Sequence, residues 1–349
     1  MTVDVAIVGA GPVGLAAAIE ARLAGLSVVL IEQRDGTIDK ACGEGLMPGA
    51  LPMLARLGID PAGHPLRGVT YHQGHREVTH RFRGSAGRGV RRLVLHTALS
   101  DRAAELGISR VTAKVVQVEQ SATSVSVAGV TARYLLACDG LHSTVAHLVG
   151  LTEAPALARG SSRPRSRHKR YGVRQHFAVA PWSDLIEVYY GRDAELYVTP
   201  VSDTEVGVAM LAGQGTSFDD AIAAEPFVAK KLAGAEPVST RRGAGPFRQR
   251  TRARTAGRVL LVGDASGYVD AITGEGLRLG FAQAQVAVAC IAADQPADYE
   301  KAWRVATRDF RILTTGLVTL ATSAFRFAIV PLAARFPKLF GLIVERLAR

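Results

Sequence analysis

The sequence predicts an α/β chain: a Rossmann-like dinucleotide-binding domain, an inserted and mainly antiparallel β-sheet, and C-terminal helices. Three observations predict it. Gly9-Ala10-Gly11-Pro12-Val13-Gly14 stands between an apolar, β-branched run and a strong helix former. A second glycine motif, Gly263-Asp264-Ala265, follows another apolar run about 250 residues downstream. Between them lie four strand-like runs at regular spacing with turn residues at each break, the pattern of a meandering antiparallel sheet.

At the N-terminal end, residues 3–8 read as a buried parallel strand and 15–23 as a helix that Gly25 ends. Residues 27–31 form the next strand, with Glu32 at its tip. Each part has a physical role. Gly9 permits the tight turn, Gly11 lets a pyrophosphate approach the backbone, and Gly14 lets helix and strand pack closely. The helix N-terminus offers unpaired N–H groups and a positive dipole end to phosphates. Glu32 can accept bonds from ribose hydroxyls. Alone, this motif means a dinucleotide. With Gly263-Asp264 at its distance it means FAD, one extended cofactor held by two ends of the chain.

Further along, residues 46–57 read as helix, 69–83 as strands broken at Gly74, and 93–106 as helix. Three strands come next at 111–118, 124–128 and 132–137, the last ended by Cys138-Asp139-Gly140. Residues 154–170 read as a loose basic linker. The four sheet runs are 171–180, 185–190, 195–200 and 205–211, succeeded by a helix over 218–232 capped by Gly234. Residues 259–262 return to a buried parallel strand, and 277–292 form a long helix. The dinucleotide-type domain is thus discontinuous, over 1–67, 91–160 and 241–300. The inserted sheet takes 68–90 and 161–240, and the helical end 301–349.

Composition bounds the rest. A chain of 349 residues with 48% hydrophobic and 21% charged residues is globular and long enough for a large core. The dinucleotide pattern begins at residue 3, which leaves no room for a signal peptide before it. Three widely spaced cysteines, Cys42, Cys138 and Cys290, fit neither a disulfide framework nor a zinc site and suit a reducing cytoplasm. The net charge of +11 invites a nucleic-acid reading. No helix-turn-helix, RNP or zinc-finger pattern accompanies it and only 6% of residues are aromatic, so no nucleic-acid partner is expected. An anionic membrane surface suits the charge better.

Taken together, the motif Gly9 to Gly14 with Glu32, Asp139-Gly140 and Gly263-Asp264 resembles the flavoprotein group containing para-hydroxybenzoate hydroxylase, over nearly the whole chain. Within it, Ala41-Cys42-Gly43-Glu44-Gly45 and the segment from Gly263 to Leu277 are similar to the geranylgeranyl reductase branch. The histidine and proline that ring hydroxylases carry near Gly-Asp-Ala are replaced here, by Ser266 or Gly267 and by Ala271. The halogenase motif Trp-x-Trp-x-Ile-Pro is missing, since the chain has only Trp182 and Trp303. The resemblance implies an FAD domain with Gly9, Gly11, Gly14 and Glu32 on the ADP half, and Arg92 and Asp264 on the cofactor. Asp139 would stand between cofactor and reductant. The helix opening near Gly274 and Gly276 would aim at the pyrimidine end of the flavin, where its dipole raises electron affinity.

Two chemistries suit such a site. In one, reduced flavin and oxygen hydroxylate or epoxidise a substrate. In the other, reduced flavin delivers hydride to a C=C bond and a nearby acid supplies the proton. No second dinucleotide motif exists, so NAD(P)H docks transiently or electrons come from a donor protein. Catalytic candidates are Cys42, beside the flavin or simply packed in a turn; Glu44, a proton source or an exposed loop carboxylate; and His176, aimed at substrate or a satisfied sheet histidine. Tyr190 and Tyr197 read as apolar wall first and proton donor second, and Cys138 and Cys290 as core.

In the C-terminal segment, residues 312–325 carry no charge, and Arg326, Pro331 and Pro337 interrupt the apolar stretch beyond them. A spanning helix needs about 20 apolar residues, so packed helices over the substrate cavity or an interfacial helix are the alternatives. The expected substrate is a lipophilic small molecule, an isoprenoid, quinone or polyketide-like compound. A different class, the prenyl-binding relatives of GDP-dissociation inhibitors, shares the fold type without using flavin. Glu32 and Gly263-Asp264 weigh against it.

Overall fold

The computed structural model describes residues 2–153 and 169–349. Two sheets organise it. In the first, five strands run parallel in the order Val259–Leu261, Val130–Ala137, Thr2–Val8, Val28–Glu32 and Ser109–Thr112. Thr255–Ala256 extends one edge, and Val118–Gln120 with Val125–Val127 attaches to Val130–Ala137. Parallel strands need both faces covered. Helices Pro12–Leu23, Arg92–Glu105 and Gly276–Ala292 cover one face, where Ile7, Ile19, Leu99 and Ala284 are completely buried. The other face buries Ala6, Val29 and Leu135 against Val145 and Ala146 of the short helix Thr144–Leu148. Each such Val, Leu or Ile contributes about 1.5–3 kcal/mol.

The second sheet runs Glu236–Pro237, Arg170–Ala178, Glu205–Gly213, Ala194–Pro200, Ile186–Tyr190, Gly68–Gln73 and Arg76–Arg81, with Arg242–Ala244 also paired to Arg170–Ala178. It is antiparallel except where Ile186–Tyr190 meets Gly68–Gln73 in parallel. Strand alternation sorts its side chains. Leu196, Val198 and Val208 pack outward against Phe218 and Val228. Tyr197, Val188, Tyr190 and Leu211 face inward against Ile329, Val330, Phe340 and Val344 of the C-terminal helices.

Several elements differ from the sequence expectation, for local reasons. Helix 46–57 shrinks to Ala50–Arg56 behind a two-residue strand Gly45–Leu46, because Pro48 disfavours helical backbone at the residue before it. The helix expected over 218–232 is two, Phe218–Ala223 and Pro226–Lys231. Glu225 is held extended at φ −113° and ψ 89° by the proline next to it. The strand expected over 111–118 is Ser109–Thr112, with 113–117 outside any strand. The expected linker 154–170 lies outside the described residues except at its end. There Arg170 is no linker residue: it begins Arg170–Ala178 and is buried. The charge-free run at 312–325 ends the helix Tyr299–Ala321, which a short 3-10 turn joins to Ile329–Arg335 and Pro337–Ala348.

Candidate functional site

A cavity of about 790 Å³ lies along the C-terminal ends of the parallel strands and runs to the second sheet. That volume is in the upper part of the ligand-pocket range, roughly 300–1,000 Å³. One end is walled by Ile31, Glu32, Arg34 and Lys114; the other by Cys42, Gly172, Phe247 and Tyr268. Two helices begin on it, Pro12–Leu23 behind Gly11 and Gly276–Ala292 behind Glu275. Neither has a side-chain cap, so both present free N–H groups and a positive dipole end.

Gly9, Gly11, Glu32, Arg92, Asp139, Gly263, Asp264, Gly274 and Gly276 all line this cavity. Gly14 lies beneath it, where a Cβ would collide with the Gly9 carbonyl oxygen. Gly9 itself sits at φ +99°, open to glycine alone without strain. Glu32 Oε2 accepts the Ala10 N–H at 2.9 Å and Oε1 the Arg34 N–H at 3.2 Å, which shapes the turn. Residues the sequence did not flag support it. His96 Nε2 lies 2.9 Å from the Ala10 carbonyl oxygen, and Gln283 Oε1 accepts the Gly263 N–H at 2.8 Å.

Burial raises the Asp264 pKa, while the nearby Lys40 and Arg92 cations oppose the rise. Asp139 lines the cavity, but its carboxylate accepts the Ser143 hydroxyl at 2.6 Å and the Val145 N–H at 3.0 Å. It therefore holds the start of Thr144–Leu148. Burial still pushes its pKa up against those bonds.

Of the catalytic candidates, Cys42 lines the cavity, and its Sγ accepts the Glu44 N–H at 3.4 Å. Glu44 is no exposed loop carboxylate, being 3% exposed. It pairs with His176 and accepts the Arg92 N–H at 2.7 Å. His176, 1% exposed, is the satisfied sheet histidine, with Ser239 Oγ 2.8 Å from Nδ1. Neither residue reaches the cavity wall. Two ion pairs missed from sequence, Arg174–Asp39 and Arg242–Asp39, hold the preceding loop to the second sheet. Cys138 is buried but touches the cavity, and burial raises its pKa. Cys290 is part-buried and packs against the core of the first sheet.

A smaller cavity of about 90 Å³ adjoins the first, sharing Gly43, Ala209, Leu211, Ala271 and Gly274. Its walls are Val69, Ile186, Val188, Ile272 and, from the last helix, Val344 and Leu347. Tyr71, Tyr197, Thr199 and Thr273 also line it.

Residues 2–160 match the family model described as FAD binding domain. The chain is 25% identical over 304 residues to digeranylgeranylglycerophospholipid reductase of Methanococcus vannielii, covering 79% of this chain and 73% of that protein. It is 27% identical over 327 residues to menaquinone reductase of Mycobacterium tuberculosis, covering 81% and 75%. The chain is an FAD-dependent oxidoreductase, similar to the para-hydroxybenzoate hydroxylase-like group. This oxidoreductase is also 29% identical over 334 residues to 12-dehydrotetracycline 5-monooxygenase/anhydrotetracycline 6-monooxygenase of Streptomyces rimosus, covering 81% of its own chain and 61% of that enzyme. Its fold matches a flavoprotein/dehydrogenase from Cytophaga hutchinsonii with a TM-score of 0.82 at 17% identity, over 99% and 92% of the two chains. The oxidoreductase takes FAD as its cofactor. The residues present fit that group: an elongated cavity, two uncapped helix N-termini on it, and a buried carboxyl beside two cations.

Proposed function

We propose that this oxidoreductase reduces a carbon–carbon double bond of a lipophilic, isoprenoid-type substrate by hydride transfer from reduced FAD. The observation that carries the reading is the small apolar cavity, which opens onto the large one at Gly43, Ala271 and Gly274. A hydrocarbon segment placed there is out of water and beside the end of the cofactor site nearest Cys42. Exclusion of water favours transfer to substrate over side reactions. The similarity to two lipid and quinone reductases supports the same reading.

In this reading Gly9, Gly11 and Glu32 hold the ADP half, with Gly14 permitting the turn, and Gly263, Asp264 and Arg92 hold the middle. The N-terminus of Gly276–Ala292, behind Gly274, would face the flavin ring. FAD supplies the electron pair; the chain binds, orients and keeps water out. Transiently docked NAD(P)H or an electron-donor protein would reload it, and Arg241, Arg242 and Lys40 on the rim suit an anionic reductant.

The similarity to a tetracycline-acting monooxygenase supports a second reading, oxygen insertion with NAD(P)H and O2. One experiment separates the two. The flavin is reduced anaerobically, then mixed rapidly with oxygen or, without oxygen, with a digeranylgeranylglycerophospholipid in micelles. Reoxidation by the lipid alone, with two hydrogens added to it, supports the reductase. A transient oxygen adduct of the flavin with no lipid-driven reoxidation supports the monooxygenase and overturns the first reading.

Among the described residues no single helix is long and apolar enough to cross a membrane. We propose peripheral contact instead. The last helices expose Phe325, Phe327, Leu332, Phe336, Leu339 and Leu342 beside Arg335, Lys338 and Arg346. The helix Pro337–Ala348 turns its other face, Val344 and Leu347, to the small cavity.

A further inference from the structure

We propose that Tyr197 delivers the proton that completes double-bond reduction, and that a buried cluster of Glu195, Arg170 and Asp270 resupplies it. The inference rests on the hydride-transfer reading above.

Reducing an alkene by hydride transfer also needs a proton for the neighbouring carbon, delivered as the hydride arrives. Four side chains that line the small cavity carry a hydroxyl: Tyr71, Tyr197, Thr199 and Thr273. A threonine hydroxyl is a weaker acid than a phenol, and burial holds the Tyr197 phenol neutral, with its pKa raised above the ordinary value. Of the two phenols only Tyr197 touches a carboxyl group. Its oxygen lies 3.2 Å from Glu195 Oε2 and 3.2 Å from the Ile272 carbonyl oxygen. Tyr71 packs its ring edgewise on Tyr190, 5.3 Å away, and has no bonded carboxyl. Strand alternation places Glu195 and Tyr197 on the same inward face of Ala194–Pro200.

Behind Tyr197 the charges do not balance. Arg170 Nη2 is 2.6 Å from Glu195 Oε2, and Arg170 Nε is 3.6 Å from Asp270 Oδ2. All three residues are buried, at 7% exposure for Arg170 and 4% for Glu195 and Asp270. One guanidinium between two carboxylates leaves an excess negative charge in a dry place. The cheaper state keeps a proton on one carboxyl. Burial raises both the Glu195 and Asp270 pKa values, and Arg170 pulls each back. The other titratable groups facing the cluster are Tyr190, Tyr71 and Tyr268, all held neutral by burial.

The step then balances. In one concerted step, one alkene carbon takes a hydride from the reduced cofactor while the π pair takes the Tyr197 proton at the neighbouring carbon as that O–H bond breaks, so no free carbanion forms. The phenolate oxygen takes, through Glu195, the proton that the Glu195–Asp270 pair shares, and the cluster regains one from water after product leaves. The cofactor ends oxidised and the alkene reduced by two electrons and two hydrogens.

The test uses the FAD-loaded enzyme, reduced anaerobically and mixed with digeranylgeranylglycerophospholipid in D2O. Because the hydrogen that reduced flavin transfers exchanges with solvent, wild type is expected to place solvent deuterium at both carbons of each reduced double bond. Tyr197→Phe should slow lipid-driven flavin reoxidation by about 100-fold or more, the usual worth of a general acid. It should still bind the lipid within about threefold, read from the perturbed spectrum of the oxidised flavin. Glu195→Gln, a second variant of nearly the same shape, should slow reoxidation and flatten its pH dependence. Tyr197→Phe reoxidising at the wild-type rate overturns the relay alone. Failure of wild type to reduce the lipid overturns the hydride reading and the relay together.

Discussion

The Glu44 carboxylate and the His176 imidazole meet where the second sheet joins the dinucleotide domain, each side chain only 1% exposed. Glu44 holds a left-handed φ of +60°, a conformation a glutamate adopts only when its surroundings impose it. Its Oε1 accepts the N–H of Arg92, the first residue of the helix Arg92–Glu105. One carboxylate thus ties the loop carrying Cys42 to the sheet on one side and to the helix carrying Arg92 on the other. Replacing Glu44 with alanine leaves His176 and Arg174 short of a buried partner. It should cost about 3–5 kcal/mol, seen as a lower urea midpoint, and should loosen FAD as well.

Asp264 stands at the cavity with Lys40 and Arg92 near it. Asp264→Ala should weaken FAD by about 10–100-fold, the worth of a charge-assisted hydrogen bond. Flavin fluorescence on titration into apoprotein measures this, and unchanged occupancy would contradict the placement.

Gly14 abuts the Gly9 carbonyl oxygen with no room for a methyl group. Gly14→Ala should therefore destabilise the protein by about 1–3 kcal/mol through overpacking and displace the turn that receives the pyrophosphate. Thermal unfolding with and without added FAD separates the two effects. The variant should gain less from the cofactor than wild type.

Glu275 precedes the helix Gly276–Ala292 and is 2% exposed. Burial pushes its pKa up to about 7, against the pull of Arg278. The folded pKa lies above the ordinary glutamate value of 4.5, so the protonated form favours folding. Its stabilising contribution is complete below pH 4.5 and is lost as pH rises through 7. Glu275→Gln removes that loss. Relative to wild type it should gain stability on the order of 3 kcal/mol between pH 4.5 and 8, read from urea midpoints across that range.

Leu339 and Leu342 lie on the outer face of the last helix, 56% and 58% exposed. If that face meets lipid, changing both to serine should lower binding to phosphatidylglycerol-containing vesicles by about tenfold or more. Cosedimentation measures it. Equal binding by wild type and variant would remove these helices from any membrane contact.

Legibility tracked the range of each signal. The glycine turn, the parallel strands and the four-strand run carry their periodicity within a few residues, and the fold class was readable from them. Errors came where one proline outweighed a periodic pattern, at Pro48 and Pro226. Arg170 looked like the end of a basic linker because charge ordinarily means solvent. In the fold two carboxylates, 25 and 100 residues away, hold it inside. Glu44 and His176 were visible as chemistry-bearing residue types, yet no local pattern says that they face each other, 132 residues apart.

By itself, the sequence determined the α/β class and the FAD cofactor. Each rests on backbone geometry that short glycine, strand and helix patterns encode directly. Only the tertiary structure decided which side chains work together. Glu44 became a buried tie, Asp139 a helix cap, and Tyr197 the one cavity phenol bonded to a carboxyl. Those outcomes depend on contacts between distant segments and on how much water each group loses. Neither quantity leaves a local trace in the chain.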